Sequence, residues 1–221
     1  MKQEGTKYFF ISNGYRGGNS TFILDHINFL VKKNKKIILI DDNPLFTYDN
    51  VPKKIKTLKI KTNKFNFSSS SKLKKILIND SDKKIIFLTN YAFLIKYFFI
   101  FFGFKNNIKV ILTIHSGLLK LNLKNYLAGF IFSLIYKKVD YLYFGSESAK
   151  LWWKHKFPWM NIENNLVHYN GVKLNNNKTK KLKKIINISF VGRLEHENNP
   201  TFFLNIAKKY IKENNNVCFH V

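Results

Sequence analysis

Two glycine-flanked arginines mark the places where this sequence could bind an anion. Among 38 Lys and Arg residues, only Arg16 and Arg193 are arginines. Arg16 precedes Gly17-Gly18 and Arg193 follows Gly192, each in a turn between a predicted strand and a predicted helix. Backbone N–H groups and the positive end of a helix favour negative charge in such turns, and guanidinium forms a planar fork. Both turns are therefore candidates for phosphate or carboxylate recognition.

The elements that would position these turns alternate between apolar strands and helices. The pattern predicts strands over 8–12, 36–40, 55–60, 84–88, 109–113, 141–144, 165–168 and 185–191. It predicts helices over 20–33, 68–79, 91–102, 124–138, 146–154 and from Pro200 onward. Buried strands separated by helices are typical of an α/β protein, so we expect a Rossmann-like parallel sheet with helices on both faces.

Several polar residues follow predicted strands directly. Sheets of this kind bind ligands at the carboxyl ends of their strands, which is where His115, Ser146 and Asn170-Gly171 fall. From the residues alone, His115 has two interpretations, a polar cap at a strand end or a member of a site. No metal site is predicted, because the histidines lack ligand spacing. His168 is interpreted as an ordinary loop residue.

The chain is expected to contain one complete and one incomplete domain. Residues 1–172 form the first Rossmann-like domain, and the Lys- and Asn-rich residues 173–184 form a linker. Residues 185–221 begin a second Rossmann-like domain with one strand, one helix and one further strand. Such a unit cannot bury both faces of its sheet, so we expect the second domain to be truncated at Val221.

Composition restricts the class of partner. The formal net charge is +25 over 221 residues, yet Lys and Asn are spread along the chain instead of clustering on one element. This distribution argues against a nucleic-acid partner, whereas Lys mixed with 22 Phe and 11 Tyr favours an anionic membrane surface. The single cysteine and the absence of a signal-peptide pattern predict a cytoplasmic protein, peripheral on the inner face of the cytoplasmic membrane.

Two aromatic segments leave the membrane question open. The predicted helix at residues 91–102 is apolar all round, which fits either core packing or a monotopic membrane contact. Trp152, Trp153 and Trp159 could likewise anchor at a lipid interface or pack a helix.

Five short motifs, in order, resemble the front part of a retaining GT-B glycosyltransferase of the family 4 type. They are Gly17-Gly18, Thr113-Ile114-His115, the segment 140–146, Asn170-Gly171-Val172 and the segment 190–200. The resemblance covers almost the whole chain. It implies a GT-B N-terminal domain on the acceptor side, followed by the start of a nucleotide-sugar-binding domain.

The resemblance also implies an activity and roles for residues. The enzyme would transfer a sugar from a nucleotide sugar to a cell-envelope glycan or lipid-linked acceptor with retention of configuration, needing no metal or other cofactor. His115 would be catalytic, near the transferred sugar. Donor phosphates would be bound by Gly17, Gly18, Gly192, Arg193 and Asn198, and the acceptor or hinge would involve Arg16, Ser146, Asn170 and Gly171.

One position departs from the family pattern. Asn198 stands where the family usually has a phosphate-binding Lys, so stabilisation of the leaving group would be weaker. A second departure is that the chain ends before the Glu-containing segment with which the family grips the donor sugar and ribose. These departures support an alternative function, a truncated non-catalytic module that binds the acceptor or a membrane surface.

Overall fold

A computed structural model describes most of the chain. The described residues are 5–12, 18–41, 51–60, 67–78, 82–102, 107–116, 122–169, 171, 185–192, 194, 198–214 and 216–221. The chain divides into two compact units, Met1–Gly171 and Val172–Val221.

The first unit is built on a six-stranded, all-parallel sheet. Its strands are β1 (Lys7–Ser12), β2 (Lys36–Asp41), β3 (Lys56–Lys59), β4 (Lys84–Leu88), β5 (Ile108–Ile114) and β6 (Tyr141–Phe144). They lie in the order β3-β2-β1-β4-β5-β6. The order reverses between β1 and β4, which pair directly from Lys7 with Lys84 to Ile11 with Leu88. This is the doubly wound arrangement of a Rossmann-like fold.

Helices cover the two faces unequally. The helices of this unit are α1 (Gly18–Lys32), α2 (Phe67–Ile78), α3 (Tyr91–Lys96), α4 (Phe98–Phe102), α5 (Leu123–Ile135) and α6 (Glu147–Lys156). Side chains alternate between the faces of a strand, so Phe9 and Ile11 join the large core with helices α2 to α6 while Phe10 packs against α1. The prediction of a parallel sheet with helices on both faces is confirmed.

The predicted helix at residues 91–102 is wrong in one respect, since the structure divides it into α3 and α4. Tyr97 separates them with φ −110° and ψ 16°, and its N–H bonds to the carbonyl oxygens of Phe93 and Ile95. The following residues are aromatic or β-branched and have low helix propensity, which explains the interruption. Phe93, Leu94, Tyr97 and Ile100 are buried, so most of this segment is core.

The predicted strand at residues 165–168 is also wrong. Only Val167 forms a bridge there, with Phe144. The side-chain amide of Asn165 donates to the Leu142 carbonyl oxygen at 3.0 Å. That bond occupies an acceptor that a longer ladder with β6 would use, so pairing ends after one bridge.

The second unit contains strand β7 (Ile186–Ser189), helix α7 (Pro200–Ile211) and strand β8 (Val217–His220). The two strands pair in parallel. The Phe203 ring on α7 contacts Phe190 and Phe219 with centroids 5.4 and 5.6 Å apart, which holds the helix to the strand pair.

Among the helices that the structure describes, none is both long and apolar enough to cross a membrane.

Candidate functional site

The carboxyl ends of β1, β4, β5 and β6 lie along one edge of the first sheet. The strand order reverses at β1 and β4, and open α/β sheets bind ligands in the crevice outside such a reversal. Helix α1 begins at Gly18 on the same edge, so its positive end faces that crevice. His115 follows β5 directly, and Gly145 follows β6.

His115 is held tightly at this edge. It lies beside Gly145, whose N–H donates to the Ile114 carbonyl oxygen at 2.7 Å. A Cβ added to Gly145 would lie 3.0 Å from His115 Nδ1 and 3.1 Å from His115 Cα. A side chain at residue 145 would therefore require His115 to shift by a few tenths of an ångström.

The environment of His115 favours its neutral form. Burial lowers the pKa of His115, and the neighbouring His168 and His26 lower it further. Its Nε2 atom is buried and has no hydrogen-bond partner in the part of the chain that the structure describes. A buried, unsatisfied ring nitrogen is costly unless a ligand or water completes it.

Three histidines surround one aromatic ring beside this edge. The Phe22 ring contacts His26, His115 and His168 with centroid distances of 4.2, 4.7 and 6.1 Å. His26 Nδ1 lies 2.9 Å from the Phe22 carbonyl oxygen, and the His26 and His168 rings are 5.9 Å apart. We call these four residues the histidine cluster.

The histidine cluster borders a cavity of about 220 Å³ on the α1 face of the sheet. Side chains from β4, β5 and β6 form its floor, and Phe22, His26 and His168 form one wall; the floor residues are Phe87, Ile111, Thr113 and Tyr143. Described His, Cys, Asp and Glu residues form no group of three suited to a metal ion. The cavity therefore offers imidazole hydrogen-bonding groups from His26 and His168 next to an apolar surface.

The sequence prediction gave a site role to only one member of this cluster, His115. It assigned none to Phe22 or His26 and interpreted His168 as an ordinary loop residue. Phe22 and His26 are four residues apart on α1, so helical spacing places both on one face and could have indicated His26. His168 could not be found this way, because only the fold brings its loop to α1.

Ser146 stabilises the start of helix α6. It is the N-cap of α6, and its Oγ accepts from the Ala149 N–H at 3.1 Å. Its Oγ also lies 2.9 Å from Ser148 Oγ. Trp153, about two turns after this N-cap, is fully buried and donates from Nε1 to the Ser116 carbonyl oxygen at 3.2 Å. Helix α6 therefore anchors the chain immediately after His115.

The structure brings together two of the predicted donor residues in the second unit. A Cβ on Gly192 would lie 3.7 Å from the Asn198 side-chain nitrogen, so the Asn198 amide borders the Gly192 turn. Asn199 caps α7 from a left-handed conformation with φ 50°, and its Oδ1 accepts from the Phe202 N–H at 3.3 Å. The turn and the positive end of α7 are thus adjacent.

Of the remaining predicted site residues, the structure describes Gly171. Gly171 is exposed, and a Cβ there would meet nothing within 4 Å. Arg16, Gly17, Asn170 and Arg193 lie outside the described residues.

Comparisons with known proteins support the fold. No protein-family profile and no curated protein matches the sequence. The structure resembles that of Anabaena HepE in complex with UDP and glucose, with a TM-score of 0.62 and 11% identity over 96% of this chain and 68% of HepE. It also resembles an alpha-glucosyltransferase, AGT, in complex with UDP, with a TM-score of 0.53 and 18% identity over 94% of this chain.

At these identities the likeness concerns the fold, and it confirms the Rossmann-like α/β prediction. The neighbours have the GT-B type of this fold. The chain spans 55% of the length of AGT.

Proposed function

We propose that this protein is a glycosyltransferase that moves a sugar from a nucleotide-sugar donor to a cell-envelope glycan or lipid-linked acceptor, with retention of configuration. The observation that carries the proposal is the likeness of nearly the whole chain to two structures that contain UDP. His115, with its buried and unpartnered Nε2, adds a group suited to a bound sugar. The proposed location is cytoplasmic, on the inner face of the cytoplasmic membrane.

His115 is proposed as the residue that contacts the transferred sugar. A neutral imidazole can donate or accept one hydrogen bond at Nε2, according to its tautomer. In a partly buried site, such a bond to a sugar hydroxyl orients the reacting carbon, and the neutral imidazole adds no positive charge to that site. The rigid support from Gly145 and Trp153 keeps that orientation fixed.

The donor diphosphate is proposed to bind at the Gly192 turn and the start of α7. Arg193 would supply a charged, bidentate fork, and backbone N–H groups of the turn would supply further donors. The charge that develops on the leaving diphosphate would be stabilised by these preorganised groups. Asn198 would contribute an uncharged hydrogen bond from its amide.

Calorimetric titration of UDP into the full chain tests this site. Arg193→Ala removes a charge-assisted bond and should weaken UDP binding by about tenfold or more. Lys208→Ala removes the same charge from the last turn of α7 and serves as the matched control. Equal UDP affinity in both variants would exclude the proposed phosphate role of Arg193.

A second candidate function is a non-catalytic module that binds the acceptor or a membrane surface. It is favoured by Asn198, which lacks the positive charge that usually assists departure of the diphosphate. The discriminating measurement is transfer of radiolabelled sugar from UDP-glucose to a membrane extract. UDP binding without transfer would support the module, and transfer would support the enzyme.

A further inference from the structure

Helix α5 exposes its apolar side to solvent. It consists of the 13 residues Leu123–Ile135, of which Gly129, Phe132 and Ser133 are buried. The exposed large side chains are Leu123, Tyr126, Leu127, Phe130, Ile131 and Leu134. A surface helix normally turns its polar face outward, so this arrangement is the reverse of the usual one. A contiguous apolar surface of this kind marks an interaction site.

Trp159 extends the same surface. Its ring lies 5.9 Å from the Phe130 ring, centroid to centroid, and its Nε1 donates to Ser133 Oγ at 3.0 Å. About half of Trp159 remains exposed. A tryptophan with a satisfied N–H and an accessible ring suits the boundary between water and lipid. We call α5 together with Trp159 the α5 face.

Lysines flank the α5 face at both ends. Lys124 lies in the first turn, and Lys137 and Lys138 lie in the short 3-10 turn that follows the helix. All three are exposed, and residues 123–139 contain no acidic residue. The surface is therefore apolar along its length and positive at its ends.

The charge pattern of the α5 face distinguishes between two possible partners, a second copy of this chain and an anionic lipid surface. In a symmetric dimer the same patch meets itself, so lysines would lie against lysines in a chain of net charge +25. An anionic lipid surface offers hydrocarbon for the leucines and phenylalanine, and negative headgroups for the lysines. The complementarity favours lipid over a second copy.

We propose that the α5 face is the surface by which this protein docks on an anionic lipid bilayer. The helix lies in the plane of the membrane along about 20 Å, with its exposed leucines among the acyl chains. This assignment moves the contact away from residues 91–102, where Phe93, Leu94, Tyr97 and Ile100 are buried in the core. Of the three tryptophans, only Trp159 takes part, because Trp153 is fully buried and Trp152 packs against the core. The docking does not depend on sugar transfer and holds for either candidate function.

Vesicle flotation tests the proposal, with phosphatidylcholine vesicles prepared with and without phosphatidylglycerol. The full chain should float with the anionic vesicles and bind less at high salt. Leu127→Gln combined with Leu134→Gln should reduce the bound fraction at least about tenfold, since two exposed leucines would no longer enter hydrocarbon. The control is Leu151→Gln combined with Leu166→Gln, which should float as the unchanged chain does.

The control is closely matched to the test variant. Leu127 and Leu134 are 55% and 61% exposed, and Leu151 and Leu166 are 61% and 66% exposed in the same unit. Equal flotation of the two double variants would overturn the proposal. So would failure of the unchanged chain to float, or a dimer in sedimentation that dissociates only in the α5 double variant.

UDP titration on the same variants separates this proposal from the proposed function. The α5 double variant should bind UDP like the unchanged chain, because no α5 side chain belongs to the candidate site. Loss of flotation with UDP binding retained supports the docking surface. Flotation of a chain that never binds UDP would leave the docking intact and remove the proposed transferase function.

Discussion

Gly145 packs so closely against His115 that a methyl group added at residue 145 would be in unusually tight contact with the histidine. The Cβ of an alanine at Gly145 would lie 3.0 Å from His115 Nδ1 and 3.1 Å from His115 Cα. One of these contacts is to backbone, which cannot move as easily as the end of a side chain. The position of His115 therefore depends on the absence of a side chain at residue 145.

Gly145→Ala should destabilise the protein and displace His115. Overpacking of this kind costs about 1–3 kcal/mol of unfolding free energy, which urea denaturation would measure. If His115 contacts the sugar, transfer should fall further than stability explains. Gly171→Ala is the control, since a Cβ there meets nothing within 4 Å. Equal stability of the two variants would contradict the tight contact.

The buried His115 should make stability depend on pH in the mildly acidic range. The pKa of His115 is lowered by burial and by His168 and His26, so the unfolded chain takes up this proton at higher pH than the folded chain does. The unfolding free energy is therefore unaffected by protonation of His115 above about pH 6.5, the ordinary histidine pKa. It decreases as the pH falls from that value toward the lowered pKa of His115 in the folded chain.

His115→Asn should therefore flatten the pH dependence of the unfolding free energy below the ordinary histidine pKa. Urea denaturation at a series of pH values measures this slope. His155→Asn, at an exposed position on α6, replaces a histidine outside the cluster and is measured in the same series as the control. A slope that His115→Asn does not alter would show that His115 protonates equally in the folded and unfolded chain.

Two substitutions can distinguish the helix-capping role of Ser146 from its predicted role in the acceptor or hinge site. Ser146→Ala removes the Oγ that accepts from Ala149 and should cost about 1 kcal/mol of unfolding free energy. Ser146→Asp retains a capping oxygen and should keep most of that stability. If Ser146→Asp is stable but loses transfer, Ser146 also serves the acceptor; if both properties survive, the cap is its whole task.

Asn198→Lys should strengthen the proposed phosphate site. The Asn198 amide borders the Gly192 turn, so an ammonium there would add a charge near the bound diphosphate. We expect UDP affinity to rise several-fold, with a steeper dependence on salt. Asn205→Lys adds the same charge on the exposed middle of α7 and tests whether net charge alone is responsible. Equal gains in both variants would refute a local effect at Asn198.

The sequence by itself determined the α/β class and the places where polar residues follow strands. Runs such as residues 9–11 and 110–112 are apolar over consecutive residues, which is the pattern of strands buried on both faces, and the structure confirms the two strands. His115 could be placed at a strand end on the same basis. These features depend on local patterns and on burial that each segment requires by itself.

The tertiary structure alone decided which residues meet. Phe22, on α1, meets His115 and the distant His168 only because the fold brings α1 alongside the loops that carry these two histidines. The outward apolar side of α5 was equally hidden in the sequence, which predicted a helix over residues 124–138 without indicating which side is buried. Which side of a helix is buried depends on the surfaces that its neighbours present, and no residue encodes that alone.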